Sequence, residues 1–240
     1  MDVDVHIIEQ CRGAHGCPNC LRSTTAAASA LEQALADIGF DERRLAALGR
    51  AGSGGAEDRK PVRPLLAHER FRIAISGCPN CCAQPQIRDF GLFAKWQPAL
   101  AEDLCIGCGA CEEACEEQAI AVSEKAILSP ERCVGCGACI RVCPTDALAT
   151  AKTGWTVLVG GKLGRHPRLA DTVAEWVTDE EAGALLAAAA GFFLEEARPG
   201  ERFGSLLERA QPEWPRRNGG ELTKTHEHDA ELIKNRQREE

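Results

Sequence analysis

Eight cysteines in the middle of the chain stand at a spacing that occurs twice. The pattern Cys-x2-Cys-x2-Cys-x3-Cys repeats at an offset of 28 residues, from Cys105 to Cys133, and both copies begin Cys-[Ile/Val]-Gly-Cys-Gly-Ala-Cys. The first copy contains Cys105, Cys108, Cys111 and Cys115, and the second contains Cys133, Cys136, Cys139 and Cys143. Zinc sites use two separated pairs of ligands rather than two triplets that each have a trailing cysteine. The spacing therefore favours iron–sulfur clusters over zinc.

This repeat resembles the cysteine run of bacterial two-cluster ferredoxins, in which the fourth cysteine of each run ligates the other cluster. It predicts two 4Fe-4S clusters with crossed ligand sets. One set is Cys105, Cys108, Cys111 and Cys143, and the other is Cys133, Cys136, Cys139 and Cys115. The first copy departs from the pattern, because Glu116 stands where the second copy has Pro144. The departure affects the turn there more than the ligand set.

The first half of this repeat is rich in acidic residues. Between residues 102 and 132, eight acids face only two bases, Lys125 and Arg132. The acids are Glu102, Asp103, Glu112, Glu113, Glu116, Glu117, Glu124 and Glu131. Such a face is either solvated surface or a docking face for a basic redox partner, and the sequence leaves both open.

The outer cysteines form two separated pairs. Cys11 and Cys17 lie six residues apart, Cys78 and Cys82 lie four apart, and about 60 residues separate the pairs. This spacing fits neither a zinc finger nor a ferredoxin run, so two distant segments have to meet at one site. Cys20 and Cys81 stand beside these pairs as additional thiols.

Between the outer pairs the chain alternates between regular elements and a loop. Residues 23–38 have helical periodicity, and Gly39 provides a stop. Residues 50–64 are predicted to form a loop around Gly-Ser-Gly-Gly. Residues 68–76 alternate apolar and polar side chains and predict a half-buried strand that leads into Gly77 and Cys78.

Composition limits the class of protein. The 240 residues are 44% hydrophobic and 27% charged, which is typical of a globular chain, and the formal charge of −8 argues against nucleic acid or an anionic membrane as partner. No apolar run reaches the ~18 residues of a membrane span. The first residues lack the basic start of a secretory signal. We therefore expect a cytoplasmic protein whose fourteen cysteines are thiols rather than disulfides.

Taken together, the outer motifs resemble those of the siroheme sulfite and nitrite reductases. The chain has Cys-x5-Cys at Cys11 and Cys17, then a helix, a strand and Ser-Gly-Cys-Pro-Asn-Cys-Cys over residues 76–82. Residues 159–170 and 201–204 are similar to later landmarks of that family, and the similarity covers about residues 5–205. An inserted ferredoxin module is similar to the dissimilatory and anaerobic sulfite reductases.

The resemblance implies a third 4Fe-4S cluster and siroheme. The implied ligands of the cluster are Cys11, Cys17, Cys78 and Cys82. Cys82 would also link to the siroheme iron, with Asn80 in the same motif. Lys162, Arg165 and Arg168 would bind siroheme carboxylates, with a basic surface loop as the alternative. Cys20 and Cys81 are interpreted as inert buried thiols, with a ligand role for either as the alternative.

The amino terminus departs from the family, whose members begin with a long segment rich in Arg and Lys. Only ten residues precede Cys11 here. Nothing in the spacing indicates that the remaining candidate cations converge; they are Arg12, Arg22, Arg63, Arg70 and Arg72. We therefore expect a redox partner protein or a second copy of the chain to complete the site for siroheme and a small anionic substrate.

The expected architecture is an α+β fold: a nitrite/sulfite reductase 4Fe-4S domain with an inserted bacterial ferredoxin-like domain. The reductase-type domain comprises residues 1–98 and 153–210, the two-cluster insertion 99–152, and a polar tail 211–240, whose His226 and His228 are interpreted as solvated. The predicted function is electron transfer through the ferredoxin clusters to a siroheme–4Fe-4S centre that reduces sulfite or nitrite. The alternatives are a non-catalytic electron-transfer subunit without siroheme and, with less support, an enzyme of tetrapyrrole biosynthesis.

Overall fold

A computed structural model describes residues 4–49, 65–66 and 69–210. The predicted loop over residues 50–64 and the predicted tail over 211–240 lie outside this range. The strands are β1 (His6–Gln10), β2 (Phe71–Ser76), β3 (Phe90–Leu100), β4 (Ile120–Val122), β5 (Ala126–Leu128), β6 (Leu148–Val159) and β7 (Asp171–Val177). The helices are α1 (Thr24–Asp37), α2 (Phe40–Ala47), α3 (Ala110–Glu113), α4 (Ala138–Val142), α5 (Asp179–Glu196) and α6 (Phe203–Ala210). The α+β prediction is confirmed.

The main sheet has five strands in the order β1-β2-β3-β6-β7. β1, β2 and β3 are parallel, whereas β6 and β7 are antiparallel to their neighbours. Parallel strands end at the same edge of a sheet, and ligands commonly bind outside their carboxyl ends. We call this edge, where Gln10 and Ser76 end β1 and β2, the carboxyl edge. Cys11 and Cys78 follow these two strands closely, so the topology brings both segments to one place.

Helix α1 begins where the sequence predicts it. Ser23 caps it by accepting a hydrogen bond from the backbone N–H of Ala26 at 3.2 Å. At the start of α5, Thr178 and Glu181 form a capping box. α5 contains the apolar stretch 182–194, which is mostly buried. In the described part of the chain, no helix has the length and apolar character needed to span a membrane.

Four phenylalanines join the helices to the sheet. Phe71 of β2 lies 5.6 Å from Phe40, 5.5 Å from Phe193 and 5.4 Å from Phe203 between ring centroids. All four rings are buried. Tilted and edge-on aromatic pairs at such distances add to the burial of apolar area, so Phe71 connects β2 with three helices.

The chain segment that connects β3 to β6 has a separate small core. Residues 101–147 hold the β4–β5 hairpin, α3 and α4, and the apolar side chains there cluster apart from the main core. β3 and β6 pair as far as Leu100 and Leu148, so the sheet strands continue into the range 99–152 that the sequence assigned to the insertion. Residues 101–147 are called the module below. Their ferredoxin identity stays a prediction.

We expect Phe71→Ala to lower the free energy of unfolding by about 3–5 kcal/mol, because it removes a buried ring that contacts three others. Anaerobic thermal or denaturant unfolding followed by circular dichroism would measure the change. Leu169→Ala is the control: this side chain is 70% exposed, and its loss should change stability by no more than about 0.5 kcal/mol. Equal effects of the two substitutions would contradict this account of the core.

Candidate functional site

A cavity at the carboxyl edge is lined by both outer cysteine pairs. Its cysteines are Cys11, Cys17, Cys20, Cys78 and Cys82. Cys11 is tied to β2 because its backbone N–H donates to the carbonyl of Ile75 at 3.0 Å. The two segments, distant in sequence, therefore meet, as their spacing requires. Their role as cluster ligands stays a prediction.

The Cys11 sulfur accepts hydrogen bonds from two backbone amides. Gly13 and Gly77 each donate to its Sγ at 3.3 Å. One amide comes from the loop after β1 and the other from the loop after β2, so this sulfur joins the two loops. Amide hydrogen bonds to cysteine sulfur are among the features that set the potential of iron–sulfur clusters.

Cys20 is packed behind the two glycines. A Cβ at Gly13 would lie 2.7 Å from the Cys20 Sγ, and a Cβ at Gly77 would lie 2.4 Å from it. The thiol donates to the carbonyl of Arg22 at 2.9 Å, and burial, followed by the neighbouring Cys11, raises its pKa. Cys20 thus packs against both loops. It is half-buried, and its interpretation as an inert buried thiol stays a prediction.

The adjacent residues Cys81 and Cys82 differ in environment. Cys82 is exposed and lines the cavity with Asn80. Cys81 does not line it: its backbone is left-handed, with φ at 51°, and burial raises the pKa of its thiol to about 11, while a hydrogen bond with Gln86 opposes the shift. The local turn therefore directs only Cys82 to the cavity.

The module contains two further cysteine-lined cavities. One is lined by Cys115, Cys133, Cys136 and Cys139, and a second, smaller one by Cys105, Cys108, Cys111 and Cys143. These are the crossed sets that the repeat predicts, although ligation itself stays a prediction. Burial raises the pKa of Cys139 to about 11, so a raised thiol pKa does not separate expected ligands from other cysteines.

All fourteen cysteines are free thiols. Across residues 4–49, 65–66 and 69–210, no three His, Cys, Asp or Glu side chains converge closely enough to hold a single metal ion.

The basic loop after β6 lies far from the outer cysteines. Val159 pairs with Phe90, so β6 ends beside the start of β3, at the edge opposite the carboxyl edge. Lys162 is 5% exposed, and its Nζ donates to Ser205 at 2.9 Å and Glu208 at 2.6 Å. The structure therefore does not bring Lys162 to the outer cavity.

The other two cations of this loop are not at the cavity either. Arg168 donates to the carbonyl of Gly160 at 2.8 Å and pairs with Asp171, while Arg165 is exposed. Neither residue lines the outer cavity. That these residues bind siroheme carboxylates stays a prediction. The antiparallel return of β6 places them at the far edge, which the sequence motif does not reveal.

Of the remaining candidate cations, Arg12 lines the outer cavity. Arg22 pairs with Asp179 at 3.1 Å, and Arg72 pairs with Glu9 at 2.9 Å. Arg70 does not line the cavity, and Arg63 lies outside the described residues. The sequence analysis missed His15, which also lines the cavity because it lies in the short turn after Cys11.

The acidic residues of the module are all exposed. Among the residues that the structure describes, none of the eight acids between positions 102 and 132 is in an ion pair. The choice between solvated surface and docking face stays open.

Residues 19–226 match the family model described as the nitrite and sulphite reductase 4Fe-4S domain. The chain belongs to this family. It therefore belongs to a group of oxidoreductases whose domain is defined by an iron–sulfur cluster, as the resemblance of its motifs indicates.

Two curated relatives carry sulfite reductase names. The coenzyme F420-dependent sulfite reductase of Methanocaldococcus jannaschii is 50% identical over 111 residues, which are 46% of this chain and 18% of the relative. A subunit of the anaerobic sulfite reductase of Salmonella typhimurium is 35% identical over 131 residues, which are 50% of this chain and 37% of the relative. The matched regions thus cover well under half of each relative's length.

One solved structure supports the fold. The chain of dissimilatory sulfite reductase I aligns with a TM-score of 0.55 at 18% identity, over 85% of this chain and 49% of that chain. At this identity the likeness concerns the fold alone. It agrees with the expected sulfite reductase architecture.

We expect Gly77→Ala to reduce the iron and acid-labile sulfide bound after anaerobic purification, because the new Cβ would collide with the Cys20 sulfur and displace the Cys11 loop. The control is Gly191→Ala in α5, where a Cβ meets no atom within 4 Å and the helix gains up to about 1 kcal/mol. Unchanged iron and sulfide in Gly77→Ala would show that this close approach is not needed.

Proposed function

We propose that the chain is an iron–sulfur oxidoreductase component that carries electrons through two ferredoxin-type clusters to a third 4Fe-4S cluster beside siroheme, for the reduction of sulfite or nitrite. One observation carries the proposal: a single cavity at the carboxyl edge of the main sheet is lined by Cys11, Cys17, Cys78 and Cys82. The chain belongs to a family that is named for its 4Fe-4S domain. Sulfite is favoured as substrate because the two relatives described above are named sulfite reductases.

Three cavities, each lined by four of the proposed ligands, support three clusters. All proposed ligands are cysteine thiols, which suits the coordination of a 4Fe-4S cluster by four cysteines. Twelve of the fourteen cysteines are used. Of the two left over, Cys81 lies outside the three cavities, and Cys20 lines the outer cavity but donates its thiol to the carbonyl of Arg22. A reducing compartment such as the cytoplasm is part of this proposal, because the proposed ligands must stay reduced thiols.

The positions of the outer ligands support the role of Cys82. Cys78 is buried, whereas Cys82 is exposed. Cys82 is thus the more accessible residue of the pair, as a cysteine whose thiolate is shared with a second group must be. Siroheme, when bound, supplies an iron that takes the substrate anion and passes electrons to it. The chain holds Cys82 in place through the adjacent Ala83, whose N–H donates to the Ser76 Oγ at 3.1 Å.

The described cavity only partly suits siroheme, a polycarboxylate. Arg12 and His15 are its basic side chains among the described residues, and Lys162 is paired with Glu208 elsewhere. Carboxylates held away from water need paired cations or backbone donors. We therefore propose that a redox partner protein or a second copy of the chain supplies further basic groups and completes the substrate site.

The same geometry also supports a second candidate function. If the chain has lost siroheme, it would serve as a multi-cluster electron-transfer subunit of a larger redox complex. The placement of Lys162 and Arg168 away from the cavity favours this alternative, whereas the exposed Cys82 and the adjacent Asn80 favour the first function.

The visible spectrum of anaerobically purified protein separates the two functions. The first predicts siroheme bands beside the broad cluster absorption, and the second predicts the cluster absorption alone. Both predict about twelve iron and about twelve sulfide per chain, with one further iron in the siroheme form. A content of about eight iron and about eight sulfide would show that the outer cluster is absent. Zinc in place of iron would contradict both functions.

We expect Cys82→Ser to abolish the paramagnetic resonance signal of the outer cluster and any siroheme band, and to leave both module clusters intact. The reason is that Cys82 lines the outer cavity while the eight module cysteines line two others. Cys81→Ser is the matched control and should change little. The reverse pattern, in which Cys81→Ser removes the outer cluster, would show that the ligand assignment is wrong at this position.

A further inference from the structure

The two cysteine loops of the module have the same sequence pattern but different surroundings. Gly135 and Gly137 of the second loop abut β3: a Cβ at Gly135 would lie 3.1 Å from the Lys95 Cβ, and a Cβ at Gly137 would lie 2.7 Å from the Trp96 ring. In the first loop, a Cβ at Gly109 would meet no atom within 4 Å. The second loop is therefore seated on the main sheet.

The first loop faces solvent instead. Ile106 is 67% exposed and Cys108 is exposed. The cavity of this loop is lined by module residues and by Leu100 and Leu148 at the two strand ends. The repeat thus contains one set of cysteines on the main sheet, called the inner set, and one solvent-facing set. The internal symmetry of the repeat conceals this difference.

Two tryptophans of the main sheet line the inner cavity. Trp96 of β3 donates its backbone N–H to the carbonyl of Gly135 at 2.9 Å, which fixes the loop to the strand. Trp176 of β7 lines the same cavity from the neighbouring part of the sheet. The inner cysteines therefore share their cavity with two large aromatic rings.

The backbone at Trp176 is in an unusual conformation. Its φ is 64°, a left-handed value that is a genuine outlier for a bulky residue. Here β7 has an extra residue relative to β6, between the pairs Val157↔Ala174 and Trp155↔Val177. A Cβ at Gly154 would lie 2.5 Å from the Trp176 Cα, so only glycine permits this approach.

Charged side chains hold the Trp176 ring. Lys95 lies 5.1 Å and Lys152 lies 5.4 Å from its ring, and Lys95 also pairs with Glu175 at 2.8 Å. Such contacts are attractive because the ammonium group lies over the negative face of the ring. Strain in a conformation of this type persists only where its surroundings over-determine it, and it occurs preferentially at functional sites.

We infer that Trp176, together with Trp96, is a positioning residue that seals the cavity of Cys115, Cys133, Cys136 and Cys139 from water and so lowers the reduction potential of the group held there. The inference rests on the proposed function, because it assumes that these cysteines hold a cluster. Reduction adds one negative charge to an already anionic cluster, and exclusion of water disfavours the more highly charged form.

The positions of the two sets, rather than the lowered potential, give the module a direction. The lowered potential opposes the step onto the set that lies on the main sheet and favours the step beyond it. An electron from a donor protein enters at the solvent-facing set that contains Cys108 and passes to the inner set that contains Cys136, which adjoins the main sheet. Each transfer oxidises one cluster and reduces the next by a single electron, with no bond formed or broken. The inner set, rather than the solvent-facing set, lies at the contact between the module and the main sheet.

The test is an anaerobic redox titration of the full chain followed by paramagnetic resonance. We expect Trp176→Ala to raise the potential of one module cluster by about 59 mV, equivalent to a tenfold change in its one-electron equilibrium constant. Iron release from that cluster to a soluble chelator should also become faster. Trp176→Phe keeps a ring and should give smaller changes. Trp176→Gly suits the left-handed backbone and provides a second ring-free variant if the alanine variant is unstable.

The matched control is Ile106→Ala, which shortens an apolar side chain beside the solvent-facing set and should shift neither potential appreciably. Cys108→Ala and Cys136→Ala, each of which perturbs one set, assign the two signals. Unshifted potentials in the ring-free variants, or a shift in the Cys108 signal alone, would overturn the inference. An unaltered chain without any module signal would instead overturn the proposed function.

Discussion

The parallel pairing of β1 with β2 is the interaction on which the outer site depends. Gln10 lies beside Ile75 in this pairing, and the amide of Cys11 continues the hydrogen-bond pattern by donating to the Ile75 carbonyl. Two segments that are about 60 residues apart in the chain are thereby held within hydrogen-bond reach. The Cys11 sulfur then accepts amides from both loops, so the cavity is organised by backbone contacts even before a cluster is considered.

The aromatic cluster around Phe71 stabilises this pairing from the other side of β2. A chain with no Tyr and only seven Phe has placed four of those Phe around one strand. The small module has no comparable apolar core: five of its cysteines pack with the few aliphatic side chains there, namely Cys105, Cys111, Cys115, Cys139 and Cys143. If the proposed clusters are bound, such a segment would draw much of its stability from them, which would link cluster assembly to folding.

The antiparallel strand β6 has two opposite consequences. Its pairing with β3 returns the chain from the module to the main sheet, so the inner cysteine loop rests on Trp96. Its continuation carries the loop with Lys162 and Arg168 to the far edge, where these cations pair with Glu208 and Asp171. The same strand that couples the module to the sheet therefore withdraws these basic groups from the outer cavity.

By itself, the sequence determined the features that depend on local spacing. The duplicated cysteine pattern predicted two crossed sets, because three cysteines of each set are close in the chain and the repeat supplies the fourth. The helical periodicity from residue 23 predicted the start of α1. The motif around Cys78 indicated the family, which the match over residues 19–226 confirms.

Only the tertiary structure decided the features that depend on strand register and packing between distant segments. It separated Cys82 from Cys81 through a left-handed turn and placed Lys162 at the far edge. It also placed one module loop on the main sheet and left the other facing solvent. No local pattern distinguishes the two matching glycine-rich loops. Their difference arises because one of them meets Trp96 and Trp176, residues that a strand pairing and a bulge bring to it from elsewhere in the chain.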